Sequence, residues 1–378
     1  MSSIEKRIRD GNTTWIARWR DPSRKQRKRS FPRKLDAQRF LATVEADLVR
    51  GSYVDPNDKT VLRDYAESWR LAQVHRPTTR AHVETNLRRN VYPYFGDRRL
   101  ASVRPSEVQA WVSRLSSEPD ALSASTVQVV HGIVASIYKA AIRDRLVSSS
   151  PCEGTRLPKK LPREIVPLAT ETVEALISAA PPRLRALVVL GAGTGMRQGE
   201  CFGLALDRID FLRRTLRVDQ QLVLMPGKST FLAPPKTSAS HRTIPLPQVV
   251  VEELAEHVRR FASSHPDGLV FTVENGSGLR RTVFSRVWRP MVSVAGAPAG
   301  TGFHDLRHYF ASLLIRHGES VKTVQSRLGH ATAAETLDTY SHLWPDSDDR
   351  TREAVDSVLR RPAVPPMCPD QGTEEGSG

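Results

Sequence analysis

Four prolines fall within twenty residues near the middle of the chain: Pro151, Pro158, Pro162 and Pro167. Proline has no backbone N–H and fixes φ, so neither a helix interior nor a central strand tolerates such spacing. The same stretch, Ser148–Pro167, carries Arg156, Lys159, Lys160 and Arg163 and reads as an extended basic linker. The segments on its two sides must therefore fold separately. At 378 residues the chain has room for two or three domains of ordinary size.

The part before the linker divides again. Within residues 60–150, apolar residues recur at helical spacing in Leu62–Ala72, Thr78–Val91, Pro105–Ser116 and Ser123–Arg145, with Pro77, Pro93, Gly96 and Pro119 as breaks. Residues 1–55 show another pattern. Thr14–Arg20 alternates apolar or aromatic with polar residues, Asp10-Gly11-Asn12 supplies a turn before it and Asp21-Pro22 one after, and Lys28–Phe31 fits a third strand. Leu35–Arg50 then reads as an amphipathic helix ended by Gly51. Beyond the linker, residues 165–345 mix helices with one short β-meander made of Leu216–Leu224, Ser229–Ala233 and Arg242–Leu246, joined at Pro226-Gly227 and across Lys236–His241. Residues 346–378 give one more helix, with Val355 and Leu359 on its apolar face, and a mobile tail from 362. The expected class is multidomain α+β: a small β-sheet/helix N-terminal module, an all-α domain, and a mainly α domain with a small antiparallel sheet.

Charge narrows the partner. Lys and Arg number 56 against 41 Asp and Glu, a formal charge of +15. Up to Lys34 there are 12 Lys or Arg against only Glu5, Asp10 and Asp21, so much of the surplus sits in the first module. A polyanion is the implied partner, nucleic acid first. Arg76, Arg80, Arg88, Arg89, Arg98 and Arg99 suit a phosphate backbone or, equally, solvated helix faces. Cys152, Cys201 and Cys368 are too scattered for a disulfide framework or a zinc site. No apolar run reaches the roughly 18 residues of a membrane span, and the N-terminus has no signal-peptide core. A cytoplasmic protein with no membrane partner is expected.

The chemistry gathers after the linker. Gly193-Thr194-Gly195-Met196-Arg197-Gln198-Gly199-Glu200 offers an arginine, with Glu200 placed to orient it or to cap a helix. Lys236 lies in a hairpin-like Pro-Pro-Lys-Thr segment. His304-Asp305-Leu306-Arg307-His308 is followed by Leu328-Gly329-His330 and by Thr339-Tyr340-Ser341-His342. Arginine forks grip phosphate oxygens, and a tyrosine hydroxyl becomes a nucleophile when neighbours assist its deprotonation. Metal-free cleavage of a phosphodiester needs charge stabilisation, a positioned nucleophile and a proton for the departing oxygen. His304 and His308 stand four apart, as in a zinc helix, but the residue after His304 is Asp305, whose carboxylate reaches one methylene less far than the glutamate such a helix carries. His304 and Arg307 share a helical face; His308 reads as structural.

In this order Arg197, Lys236, His304, Arg307, His330 and Tyr340 resemble the catalytic set of the tyrosine recombinase (phage integrase) family, and the likeness extends along the whole chain. The resemblance implies Arg197 and Arg307 as two forks on one phosphate, and His304 as a base or charge-orienting partner. It further implies His330 as a phosphate donor, Lys236 as general acid with Lys228 as alternative, and Tyr340 as nucleophile. It implies residues 1–55 as an arm-site DNA-binding module, 60–150 as a core-binding domain and 165–345 as the catalytic domain. Double-stranded DNA at core and arm sites, a homotetramer on two duplexes, accessory DNA-bending or directionality factors, and no metal or cofactor are implied with it. The competing readings are a type IB topoisomerase, a cellular dimer-resolving recombinase, and a DNA binder without catalysis. The chain departs from the family at Leu206, where tryptophan is common, and at Ala331-Thr332-Ala333.

Overall fold

A computed structural model describes residues 2–9, 12–117, 119, 121–160, 164–224, 230–261, 265–344 and 348–359. It divides into two compact units, residues 1–162 and residues 163–224 with 228–378. The expected turns at Asp10-Gly11 and Pro226-Gly227, the alternative lysine Lys228 and the tail from 362 lie outside the described residues.

The first unit opens with an antiparallel sheet of β1 (Ser3–Arg9), β2 (Asn12–Arg20) and β3 (Gln26–Phe31), in the order β1-β2-β3. Alternation along β2 sends Ala17 and Trp19 onto helix α1 (Lys34–Arg50), where Ala37, Leu41 and Val44 complete a small core. The Trp19 indole N–H, buried there, donates to Tyr53 Oη at 2.8 Å. Gly51 stops α1 in the left-handed region at φ 71°, where a glycine carries no steric penalty.

A second core in the same unit is all helical: α2 (Leu62–Ala72), α3 (Pro77–Asn86), α4 (Tyr92–Phe95), α5 (Pro105–Leu115) and α6 (Ala124–Arg143). α2 has the bounds read from the sequence. The helix expected to stop at Val91 instead runs through a π turn, Leu87–Val91, straight into α4, because Pro93 sits in the first turn of α4, where its missing N–H costs nothing. The linker differs too. Cys152 is part of the helical core, and the Gln109 amide exchanges hydrogen bonds with the Arg156 backbone (2.8 and 3.1 Å) while Gln128 donates to the Pro158 carbonyl (3.0 Å). The expected extended linker is therefore docked on this domain as far as Pro158.

The second unit runs α7 (Thr170–Ala179), α8 (Pro182–Thr194), α9 (Gln198–Phe202), β4 (Ile209–Asp210), β5 (Thr215–Val218), β6 (Gln221–Leu224), β7 (Thr230–Ala233), β8 (Arg242–Pro245), α10 (Gln248–Arg260), α11 (Arg281–Val294), α12 (Asp305–Arg316), α13 (Val321–Leu328), α14 (Ala333–Tyr340) and α15 (Asp348–Leu359). The expected single meander is in fact two sheets, β4-β5-β8 and β6-β7, both antiparallel. The strand expected over 216–224 breaks at Asp219-Gln220: Asp219 is drawn into ion pairs with Arg208 and Arg217 (both 3.0 Å), and Gln220 donates to the Gly203 carbonyl (2.8 Å). Lys236 thus sits on a crossing between sheets rather than in a hairpin. α8, the most deeply buried helix, forms the spine, packed on by α7, α10 and α12. No helix among the described residues is long and apolar enough to cross a membrane.

Candidate active site

The site is built where α8 ends. Gly195 takes φ 63°, and a Cβ there would meet Phe310 at 2.5 Å, so this turn admits glycine alone. Its carbonyl is thereby aimed at α12, where it accepts from Arg307 Nη1 at 2.8 Å. Arg307 is 2% exposed. Burial, with Arg197 and Arg242 nearby and Glu200 in partial opposition, pushes its pKa down to about 9, so it still carries its charge at neutral pH.

Arg197 directly follows that turn and precedes α9. Glu200 does both things expected of it: one oxygen accepts the Arg197 backbone N–H (3.0 Å), and the other pairs with Arg197 Nη1 (3.1 Å). The other fork nitrogen, Nη2, donates to the Gly329 carbonyl at 3.2 Å. Glu200 is 2% exposed and is held mainly by a residue that the sequence did not single out as functional, Arg242 at the head of β8 (2.8 Å). Burial pushes the Glu200 carboxyl up, but hydrogen bonding and charge from Arg242, with Arg197 behind it, outweigh this and leave it below the usual value. Arg242 also donates to the carbonyls of Arg327 (2.8 Å) and Ser240 (3.0 Å), tying β8 to the end of α13. Nothing local in Arg-Thr-Ile-Pro-Leu announces that role, since the partners come from 42 and 85 residues away.

α13 ends on Gly329 at φ 67°, which delivers His330 to the cluster. His330 Nδ1 is hydrogen-bonded to Thr336 Oγ1 at 2.8 Å. Burial, then Arg307, push its pKa down to about 4, so the ring is neutral at pH 7. Thr332 caps α14, and Thr336 and Tyr340, four residues apart, bury the same face of that helix. The Tyr340 ring lies nearly parallel to His330, with centroids 6.4 Å apart. Tyr340 is 1% exposed; burial pushes its hydroxyl up to about 12 against the opposing charge of Arg307.

His304 stands just before α12 with its ring edge against His308 (centroids 4.8 Å apart). Its outer side meets solvent, while packing of its inner side and the charge of Arg307 hold its pKa low. His308, read from the sequence as structural, touches the nucleophile candidate: its Nδ1 is 2.8 Å from Tyr340 Oη. Lys236 is exposed on the crossing between β7 and β8. Its neighbour Thr237 is hydrogen-bonded to Ser240 Oγ (2.9 Å), which accepts from Arg197 Nη1 (3.4 Å). Arg197, His304, Arg307, His308, His330 and Tyr340 are thus gathered in one cluster, and Lys236 stands beside it. Three guanidinium groups face one buried carboxylate there, an excess of positive charge suited to a phosphate diester.

Comparison with known proteins points the same way. The pattern described as the phage integrase family matches residues 167–346, and that described as phage integrase, N-terminal SAM-like domain, matches residues 61–116. A tyrosine recombinase XerC-like protein of Caldanaerobacter subterraneus is 26% identical over 340 residues, 82% of this chain and 86% of that protein. The integrase of Mycobacterium phage D29 is 25% identical over 319 residues, 80% of this chain and 83% of that one. Among solved structures, the Tn1549 transposon integrase in complex with a circular intermediate DNA aligns with TM-score 0.68 at 22% identity, over 79% of this chain and 99% of that one. A lambda integrase dimer bound to a COC′ core site aligns with TM-score 0.59 at 17% identity, over 90% and 96%. At these identities the two structures share the fold.

Proposed function

The chain belongs to the phage integrase family of tyrosine recombinases, and from that premise we propose that it is a site-specific DNA recombinase in which Tyr340 cuts and rejoins strands to integrate or excise a mobile element. The observation that carries the reading is the site's composition: a buried tyrosine in the field of Arg307 and Arg197, with the buried carboxylate of Glu200 paired to Arg197 and Arg242. Tyr340 Oη attacks the scissile phosphorus, forming a 3′-phosphotyrosyl bond as the bond to the 5′ oxygen breaks. Arg197 and Arg307 receive the charge that develops on the non-bridging oxygens, with His330 and His304 as further donors. Lys236 swings in from its exposed segment and protonates the departing 5′ oxygen. A 5′ hydroxyl from the partner duplex then reverses these steps. The phosphodiester energy is kept in the tyrosyl link, so rejoining draws on no nucleotide cofactor.

Four protomers on two duplexes are the assembly proposed. In support of exchange between neighbours after Tyr340, α15 leaves Val355, Val358 and Leu359 exposed at 50%, 79% and 73%, an apolar stripe uncovered among the described residues. The N-terminal sheet, with Arg7, Arg9, Arg20 and Lys28 exposed, is proposed to hold a second, arm-type DNA site, helped by accessory bending or directionality factors. That module favours an integrase over a topoisomerase or a dimer-resolving enzyme, which have no need of a second site. The test is a nicked suicide substrate that traps the covalent intermediate. Wild-type protein is expected to give a DNA adduct stable on a denaturing gel, and Tyr340→Phe to bind the same DNA without one; an adduct formed by Tyr340→Phe refutes the assignment.

A further inference from the structure

We propose that His308 is a catalytic residue, the immediate proton acceptor for the Tyr340 hydroxyl. The inference rests on the reading of Tyr340 as nucleophile and adds a group that the family resemblance does not supply. Three observations carry it. First, contact: His308 Nδ1 lies 2.8 Å from Tyr340 Oη, within the distance for direct proton transfer, and the His308 ring packs against both Tyr340 and His304, the residue expected as base. Second, shelter: Tyr340 is 1% exposed and His308 is half-buried, so bulk water is a poor competitor for the proton. Third, orientation: His308 lies one helical turn beyond His304 and next to Arg307, and the edge-to-face packing of the two imidazoles (85° between planes) fixes the ring that meets the hydroxyl.

Among the described residues, the charged and titratable groups around His308 are His304 just before α12, Asp305 and Arg307 on it and Tyr340 on α14. Burial, then His304, push the pKa of His308 down to about 4, so at neutral pH the ring is uncharged and one nitrogen accepts. With the proton on Nε2, Nδ1 accepts the phenol O–H. As the Oη–P bond forms, the phenolic proton passes to Nδ1, and the phosphate's negative charge, newly arrived among the guanidiniums, stabilises the imidazolium. The departing 5′ oxygen takes a different proton, from Lys236. On rejoining, the 5′ hydroxyl gives its proton to Lys236, the Oη–P bond breaks and His308 returns the proton to Tyr340, so nothing is consumed.

The experiment measures single-turnover adduct formation on a nicked core-site duplex for His308→Ala, His308→Asn and Tyr340→Phe, with core-site binding and thermal melting as controls. Asn places an amide near the position of Nδ1, so it keeps a hydrogen bond to Tyr340 but cannot take the proton. Both His308 variants are expected to bind DNA and to react about a hundredfold more slowly or worse. Added imidazole should restore His308→Ala, where a cavity is left, and not His308→Asn, where it is filled. Adduct formation by His308→Asn within twofold of wild type overturns the proton-acceptor role while leaving Tyr340 intact, and so does a slow, well-folded His308→Ala that imidazole does not rescue. An adduct with Tyr340→Phe would remove the nucleophile itself, and this inference with it.

Discussion

Arginine is used in two opposite ways at the two ends of this chain. In the N-terminal module Arg7, Arg9, Arg20 and Lys28 lie exposed on a sheet whose other face forms a small core. In the second unit the Arg307 residue and the Arg242 side chain are 2% and 5% exposed, and each guanidinium is held by backbone carbonyls or by Glu200. Exposed charges act at a distance on any polyanion and are screened by salt. Buried guanidiniums are screened little, but they must be oriented by a surrounding shell and are felt by one phosphate at a time. The first arrangement supplies affinity and the second supplies chemistry.

The comparison breaks most easily at Arg242. Arg242→Ala strands the Glu200 carboxylate in a buried site and is expected to destabilise the protein by about 3–5 kcal/mol, read by denaturant unfolding, whereas alanine at Arg7 should change stability hardly at all. Equal effects at the two positions would erase the distinction. Next is Arg307→Lys, which keeps the charge and loses the fork. Core-site binding should persist while adduct formation slows by roughly 30- to 1000-fold, a loss of about 2–4 kcal/mol; a near-normal rate would mean that charge alone is enough.

A smaller effect separates the two regions by pH. His308 and His330 have folded-state pKa values near 4, below the roughly 6.5 of an unfolded chain. The unfolded state binds more protons between those values, so their contribution is complete above about pH 6.5 and is lost as the pH falls towards about 4. The melting temperature should drop over that window, and the drop should shrink in His330→Asn; a profile flat from pH 7 to pH 4.5 contradicts the burial described. The smallest change is expected from Arg7, Arg9, Arg20 and Lys28→Gln together. Arm-DNA affinity should fall mainly at low salt, with a shallower salt slope, and core-site cleavage should be untouched. A loss of cleavage would show that the module belongs to the core site.

Legibility in the sequence divides in the same way, between local and distant partners. α2 was readable end to end because its 3.6-residue spacing is bounded by its own neighbours. Gly195 and Gly329 were visible as punctuation beside arginine and histidine, and the structure shows each one turning a carbonyl towards a guanidinium. The split of the expected meander was not readable, since Asp219 and Gln220 answer to Arg208 and Gly203 rather than to strand alternation. The docking of Arg156 on Gln109 was hidden for the same reason. His308 gave a signal, its spacing of four from His304, but its partner Tyr340 lies 32 residues on and on another helix. Lys236 was legible through its motif, and the structure places it on the exposed crossing between β7 and β8.

The residue to which the DNA becomes attached identifies the nucleophile. The suicide-substrate adduct, digested with protease and nuclease, should yield one modified peptide when sequenced by mass spectrometry. A nucleotide phosphate on the Tyr340 side chain is the result predicted; attachment at Tyr309, whose hydroxyl is directed at Thr170 instead, or at any other residue, would contradict it.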